Sequence, residues 1–204
     1  MSEQPTVFVV DDDAAVRDSL SLLIRSVGLK AETFETARGF LDAYASPRWG
    51  CLVLDVRMPG MSGLELQEQM VARGMSLPIV FLSAHGDIPM AVQALKAGAV
   101  DFILKPFRDQ DLLDKIHEAI AAHGRLLKKL ESRDVILERL GTLTAREREV
   151  MDLIVAGKAN KVIAADLQIS RRTVEIHRAR VMEKMQASSL SELVQLVLES
   201  QRPA

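Results

Sequence analysis

The chain has 204 residues, 48% of them hydrophobic and 26% charged, with no biased tract, which is the profile of a soluble globular protein and not of a disordered or fibrous one. No apolar run approaches the roughly 18 residues that a membrane span requires, and the N-terminus lacks the basic region, apolar stretch and small-residue cleavage site of a secreted protein, so a cytoplasmic address is expected. The formal net charge of −2 hides an asymmetry: residues 1–124 hold 11 Lys and Arg against 17 Asp and Glu, whereas residues 125–204 hold 15 against 11. An acidic front half joined to a basic back half implies two domains, the second with an anionic partner.

In chain order, Thr6 to Val10, Ala31 to Phe34, Cys51 to Leu54, Ile79 to Leu82 and Phe102 to Leu104 read as strands. Between them Ala14 to Val27, Thr36 to Tyr44, Gly63 to Ala72, Ile88 to Ala97 and Asp109 onward carry apolar residues at spacings of three and four, and read as helices. Five β-α units in succession imply a doubly wound, flavodoxin-like α/β fold, with a five-stranded parallel sheet covered by helices on both faces. The single cysteine, Cys51, excludes an internal disulfide and a thiolate-rich metal site. It falls in an apolar run, where it reads as a small buried hydrophobe rather than a redox sensor.

After about residue 120 the pattern loosens. Leu126, Leu127, Leu130, Ile136, Leu137 and Leu140 keep a helical period among many charges. Two readings stay open: the last helix continues from Asp109 to Leu140 over about 48 Å, or a polar helix breaks near Gly124. Beyond Gly141 no strand signal remains. Thr144 to Ala156 opens with the capping box Thr-x-x-Glu formed by Thr144 and Glu147, and Gly157 closes it. Asn160 to Leu167, Ser170 to Met185 and Ser189 to Leu198 follow, with Ser170 and Ser189 as caps. The division expected is residues 1–121, a helical linker at 122–140, and an all-α domain of four helices at 141–204.

Polar residues concentrate where strands end. The first strand exits into Asp11-Asp12-Asp13, the third into Asp55, the fourth into Ser83-Ala84-His85 and the fifth into Lys105-Pro106. In an open parallel sheet these ends converge on one crevice. Carboxylates packed together repel unless a cation joins them, and Mg²⁺ fits an oxygen-only ligand set. Asp13 reads as a capping residue, and His85, a lone loop histidine, stays outside the site.

Val9-Val10-Asp11-Asp12-Asp13, Asp55-Val56-Arg57-Met58-Pro59 with Ser62-Gly63 behind it, Ser83-Ala84 and Lys105-Pro106-Phe107 together resemble the signature of a receiver domain over about residues 5–121. The resemblance implies that Asp55 accepts a phosphoryl group from a histidine kinase. It implies that Asp11, Asp12, Asp55 and the carbonyl of Arg57 hold Mg²⁺, and that Lys105 and Ser83 meet the phosphoryl oxygens. Phe102 stands where receivers carry a switch aromatic, here without a hydroxyl, and equally reads as a core strand residue.

In the basic half, Asn160 to Leu167, a short turn, and Arg171 to Lys184 read as a helix, a turn and a longer helix. The second helix sets Val174, Val181 and Met185 at core spacing and basic residues elsewhere, as entry into a major groove requires. The segment from Leu143 to Lys184 resembles the NarL/FixJ/LuxR class of helix-turn-helix, and Ser83 to Asp87 with Met90-Ala91-Val92 and Ala97-Gly98-Ala99 resembles the FixJ branch. Two positions depart from that pattern: Val162 stands where Glu or Ser is usual, and Gln186 where Gly is expected. The resemblance implies DNA contacts by Arg171, Arg172, Thr173, Glu175, His177, Arg178 and Lys184, with Lys161 reaching phosphate. It implies a two-component response regulator, not an enzyme, that dimerises on phosphorylation, binds promoter DNA and has RNA polymerase as a further partner. Two alternatives are an Mg²⁺-dependent phosphohydrolase, disfavoured because Val56 and Arg57 follow Asp55 where Asp-x-Asp is usual, and a constitutive DNA-binding protein whose front domain only mediates association.

Overall fold

The computed structural model describes residues 4–44, 48–84 and 88–201. The chain divides into two compact units, residues 1–127 and 128–204.

In the first unit β1 (Thr6–Val10), β2 (Lys30–Phe34), β3 (Gly50–Asp55), β4 (Ile79–Ser83) and β5 (Asp101–Leu104) alternate with α1 (Ala14–Ser26), α2 (Ala37–Ala43), α3 (Gly63–Ala72), α4 (Ile88–Lys96) and α5 (Asp109–Gly141). The sheet is parallel, in the order β2-β1-β3-β4-β5. Every residue of β1, β3 and β4 is buried, as strands covered on both faces must be. Successive side chains alternate between the two faces. Phe8, Val10, Leu52, Leu54, Ile79 and Phe81 pack with Phe40 of α2, Leu66 and Met70 of α3 and Ala94 of α4. Val7, Val9, Cys51, Val53, Val80 and Leu82 pack with Leu20 and Ile24 of α1 and Leu112, Ile116 and Ile120 of α5. Cys51 is fully buried among them, and burial pushes its thiol pKa up, so it behaves as the expected small hydrophobe.

α5 runs without interruption through Gly124, which decides between the two readings of that stretch. The glycine has a packing reason. A Cβ at position 124 would lie 2.9 Å from the indole nitrogen of Trp49, and that indole N–H donates to the carbonyl of Ile120 at 3.0 Å.

The second unit holds the C-terminal part of α5 and α6 (Ala145–Val155), α7 (Asn160–Asp166), α8 (Arg171–Met185) and α9 (Leu190–Gln201), and among the described residues it is all helical. Thr144 and Glu147 form the reciprocal capping box at the start of α6, and the Ser170 hydroxyl accepts from the amide of Thr173 at the start of α8. The core joins Ile136 and Leu140 of α5 to Val150, Met151 and Ile154 of α6, Ile163 of α7, Val174, Val181 and Met185 of α8, and Leu193 and Val197 of α9.

Candidate functional site

The strand order makes β1 and β3 neighbours whose connections leave in opposite directions, and this is where an open α/β sheet forms a crevice at its carboxyl edge. Asp11 follows β1 directly, Asp55 and Ser83 are the last residues of β3 and β4, and Lys105 follows β5. Asp11, Asp55 and Ser83 are buried. The Lys105 ammonium donates to Asp11 Oδ2 at 2.8 Å and to Asp55 Oδ1 at 2.8 Å. The remaining oxygens are held by backbone: Asp11 Oδ1 accepts from the amide of Asp13 at 2.9 Å, and Asp55 Oδ2 from the amide of Arg57 at 2.8 Å. Burial pulls the Lys105 pKa down, but hydrogen bonds and charge from Asp11 and Asp55 outweigh it and hold the ammonium above the ordinary lysine value. The lysine is therefore a fixed cation beside two carboxylates.

The surrounding backbone fixes these groups. The amide of Lys105 donates to the carbonyl of Ser83 at 2.7 Å, tying the lysine to the serine through the strand ends. Arg17 of α1 donates to the carbonyl of Asp11 at 2.8 Å. Behind Asp55, the amide of Gly63 donates to the carbonyl of Val56 at 2.9 Å, and a Cβ on Gly63 would lie 2.3 Å from the carbonyl oxygen of Asp55. Only glycine lets α3 approach the aspartate so closely.

The other residues singled out from the sequence fall as follows. Asp12 is exposed, and among the described residues no group of three or more His, Cys, Asp or Glu is arranged to hold a metal. Lys105 joins Asp11 and Asp55, and among the described residues no hydrogen bond links Asp12 to them. Asp13 caps α1, accepting from the amide of Ala15 at 2.8 Å. Phe102 pairs in register with Phe81, their ring centroids 6.1 Å apart, and packs against the core. His85 lies outside the described residues.

In the second unit α8 turns Val174, Val181 and Met185 inward, while Arg171, Arg172, Glu175 and Arg180 are exposed. Thr173, His177 and Arg178 are partly buried. The Arg178 guanidinium lies 3.4 Å from the side-chain oxygen of Asn160, and His177 Nδ1 is buried without a hydrogen-bond partner among the described residues. Lys161, the second residue of α7, is exposed. Lys184 is placed differently from the rest: its ammonium donates to Glu147 Oε2 at 2.6 Å and to the carbonyl of Thr142 at 3.0 Å, so it faces the body of its own unit. Arg180, absent from the contacts expected from sequence, joins the exposed face. The signal for it was its spacing, eight residues and a little over two turns from Arg172.

The response regulator receiver domain model matches residues 7–117, and the model of the bacterial regulatory proteins of the luxR family matches residues 141–197. The chain belongs to the two-component response regulators. Similar proteins include the transcriptional regulatory protein TdiR of Thauera aromatica, 49% identical over 95% of this chain and 85% of the relative. The transcriptional regulatory protein FixJ of Bradyrhizobium diazoefficiens is 46% identical over 98% of each chain. Among solved structures, the response regulator StyR superposes with a TM-score of 0.89 at 48% identity, covering 96% of this chain and 99% of the other. This response regulator joins a receiver to a LuxR-type DNA-binding domain, in the class of transcription factors and not of enzymes. Among its described residues no helix is long and apolar enough to cross a membrane.

Proposed function

We propose that this response regulator takes a phosphoryl group onto Asp55 from a cognate sensor histidine kinase and, once phosphorylated, dimerises on promoter DNA to control transcription from the cytoplasm, with RNA polymerase as its downstream partner. The observation that carries the reading is the Lys105 ammonium at 2.8 Å from both Asp11 and Asp55. A pair of carboxylates at adjacent strand ends, already needing one fixed cation, is poised for the charge-neutralised transfer that phosphoryl chemistry requires.

In the transfer a carboxylate oxygen of Asp55 attacks the phosphorus of the donor phosphohistidine, the P–N bond breaks, and an acyl phosphate remains on Asp55. Asp11, Asp12, Asp55 and the Arg57 carbonyl are the all-oxygen donor set that would hold Mg²⁺. Mg²⁺ would supply charge neutralisation at the phosphoryl oxygens. Lys105 then exchanges a carboxylate partner for a phosphoryl oxygen, and the Ser83 hydroxyl donates to another. Because the amide of Lys105 is bonded to the carbonyl of Ser83, movement of either group passes to β4 and β5 together, and Phe102 repacks against Phe81. The surface beside them, α4 and β5, exposes Ile88, Val92, Leu95 and Leu104, an apolar face suited to association with a second copy. On the DNA side Arg171, Arg172, Glu175 and Arg180 face the groove, Lys161 reaches phosphate, and the half-buried Thr173, His177 and Arg178 orient the helix. Lys184 acts within the domain.

The test is DNA affinity and solution mass before and after treatment with an acyl phosphate donor and Mg²⁺, with Asp55→Asn as control. Both rise in the native protein and neither in the variant. A phosphorylated protein that stays monomeric and binds DNA no better refutes the proposal and favours a constitutive DNA-binding protein.

A further inference from the structure

The outward face of α8 carries one side chain that neither phosphate binding nor the core accounts for. Ile176 is 46% exposed, two residues and roughly 200° of helical turn from the buried Val174, and so points directly away from the core. Arg172 and Arg180 stand four residues to either side on the same row, about 6 Å away along the axis, and Glu175 and Ala179 are exposed beside it. A β-branched residue gains nothing on a solvated helix face, where a lysine or glutamate forms helix at least as well.

We infer that Ile176 is a specificity-determining residue that reads the 5-methyl group of a thymine in the major groove, one in each half-site. The inference rests on the reading that α8 enters that groove. The thymine methyl is the apolar group that base edges present there, and apolar side chains recognise it by contact. Arg172 and Arg180 stand about 12 Å apart along the axis, with Ile176 halfway between them. Guanidinium groups on either side of Ile176, anchored on phosphate, therefore hold it between them, over the base edges. Ala179, one turn on, is small enough to let the helix settle against the floor of the groove.

The experiment begins with the full chain, treated with an acyl phosphate donor, selecting duplexes from a random pool. Each thymine of the selected duplex is then replaced singly by deoxyuridine, which removes the methyl group and leaves the hydrogen-bonding edge unchanged. Burial of one methyl corresponds to about 0.8 kcal/mol, so at one thymine per half-site the native protein loses binding roughly fourfold. Ile176→Ala, which removes the contact in both half-sites, binds the thymine duplex roughly sixteenfold more weakly and is insensitive to the same replacement. Its circular dichroism matches that of the native chain, because the site is exposed. Deoxyuridine losses of equal size in both proteins, or none in either, overturn the role of Ile176 while leaving DNA binding intact. Failure to enrich any duplex overturns the groove reading and the inference with it.

Discussion

Replacing Lys184 by Met separates a structural lysine from a DNA-contacting one. In the native domain Glu147 is only 3% exposed in its side chain and accepts from Lys184 at 2.6 Å and from the amide of Thr144 at 2.9 Å. Methionine keeps the aliphatic length but leaves that carboxylate buried with its counter-ion gone. Stranding one partner of a buried ion pair costs about 3–5 kcal/mol. Because the Lys184 side chain is itself 33% exposed, water recovers part of the loss, and about 2–3 kcal/mol is expected. In a domain of this size that lowers the melting midpoint of the second unit by roughly 10–20 °C, read from far-UV circular dichroism. Affinity for DNA is then measured well below the new midpoint over a range of salt concentrations. A lysine on phosphate contributes about 0.9 to the slope of log affinity against log salt. The slope of Lys184→Met stays at the native value. An unchanged midpoint with a slope reduced by about 0.9 would refute the structural role and return Lys184 to the DNA-contacting set.

Three further outcomes follow from the same geometry. The hydrogen bond from Lys184, then that from Thr144, hold the Glu147 pKa down from 4.5 to about 2, so its contribution is complete above pH about 4.5 and is lost as the pH falls towards about 2; acid titration of Glu147→Gln, which keeps the capping geometry, shows a flatter decline of second-unit stability across that window. Gly63→Ala drives a Cβ against the Asp55 carbonyl, where the approach is 2.3 Å; denaturant unfolding shows the first unit weakened by about 1–3 kcal/mol, and, on the proposed role of Asp55, phosphorylation by an acyl phosphate slows because the residues behind that carboxylate must shift. Gln186 ends α8 at φ 53°, a left-handed conformation that disfavours a side chain; Gln186→Gly raises second-unit stability by about 0.5–1 kcal/mol in thermal unfolding, the relief of strain exceeding the added chain entropy.

The strand ends were legible because each apolar run stops abruptly at one chemically distinct residue: Asp11, Asp55, Ser83 and Lys105 declare their place through the strand that precedes them. The capping serines and Thr144 were legible for a similar reason, since an Ncap is a local device whose partner lies three residues away. Contacts between distant segments left no such trace. Nothing near Gly124 reveals that Trp49, far earlier in the chain, needs the space a Cβ would take, and a glycine in a polar helix reads equally as a break. Lys184 has the same limitation, because a basic residue at the end of a basic helix looks the same whether it faces solvent or a buried glutamate 37 positions earlier. Gln186 falls in between: the family resemblance marks the position where glycine is expected, and the structure shows the left-handed backbone that favours it.

The packing of Trp49 against Gly124 also decides what light can report about this protein. The chain has one tryptophan, one tyrosine and six phenylalanines, all before residue 128, so the DNA-binding unit is built on aliphatic and methionine side chains and emits nothing of its own. Intrinsic fluorescence therefore sees the receiver alone, through an indole whose N–H is tied to Ile120 of α5. A single unlabelled sample, followed by emission and by circular dichroism, resolves loosening of that helix from the sheet separately from melting of the silent domain.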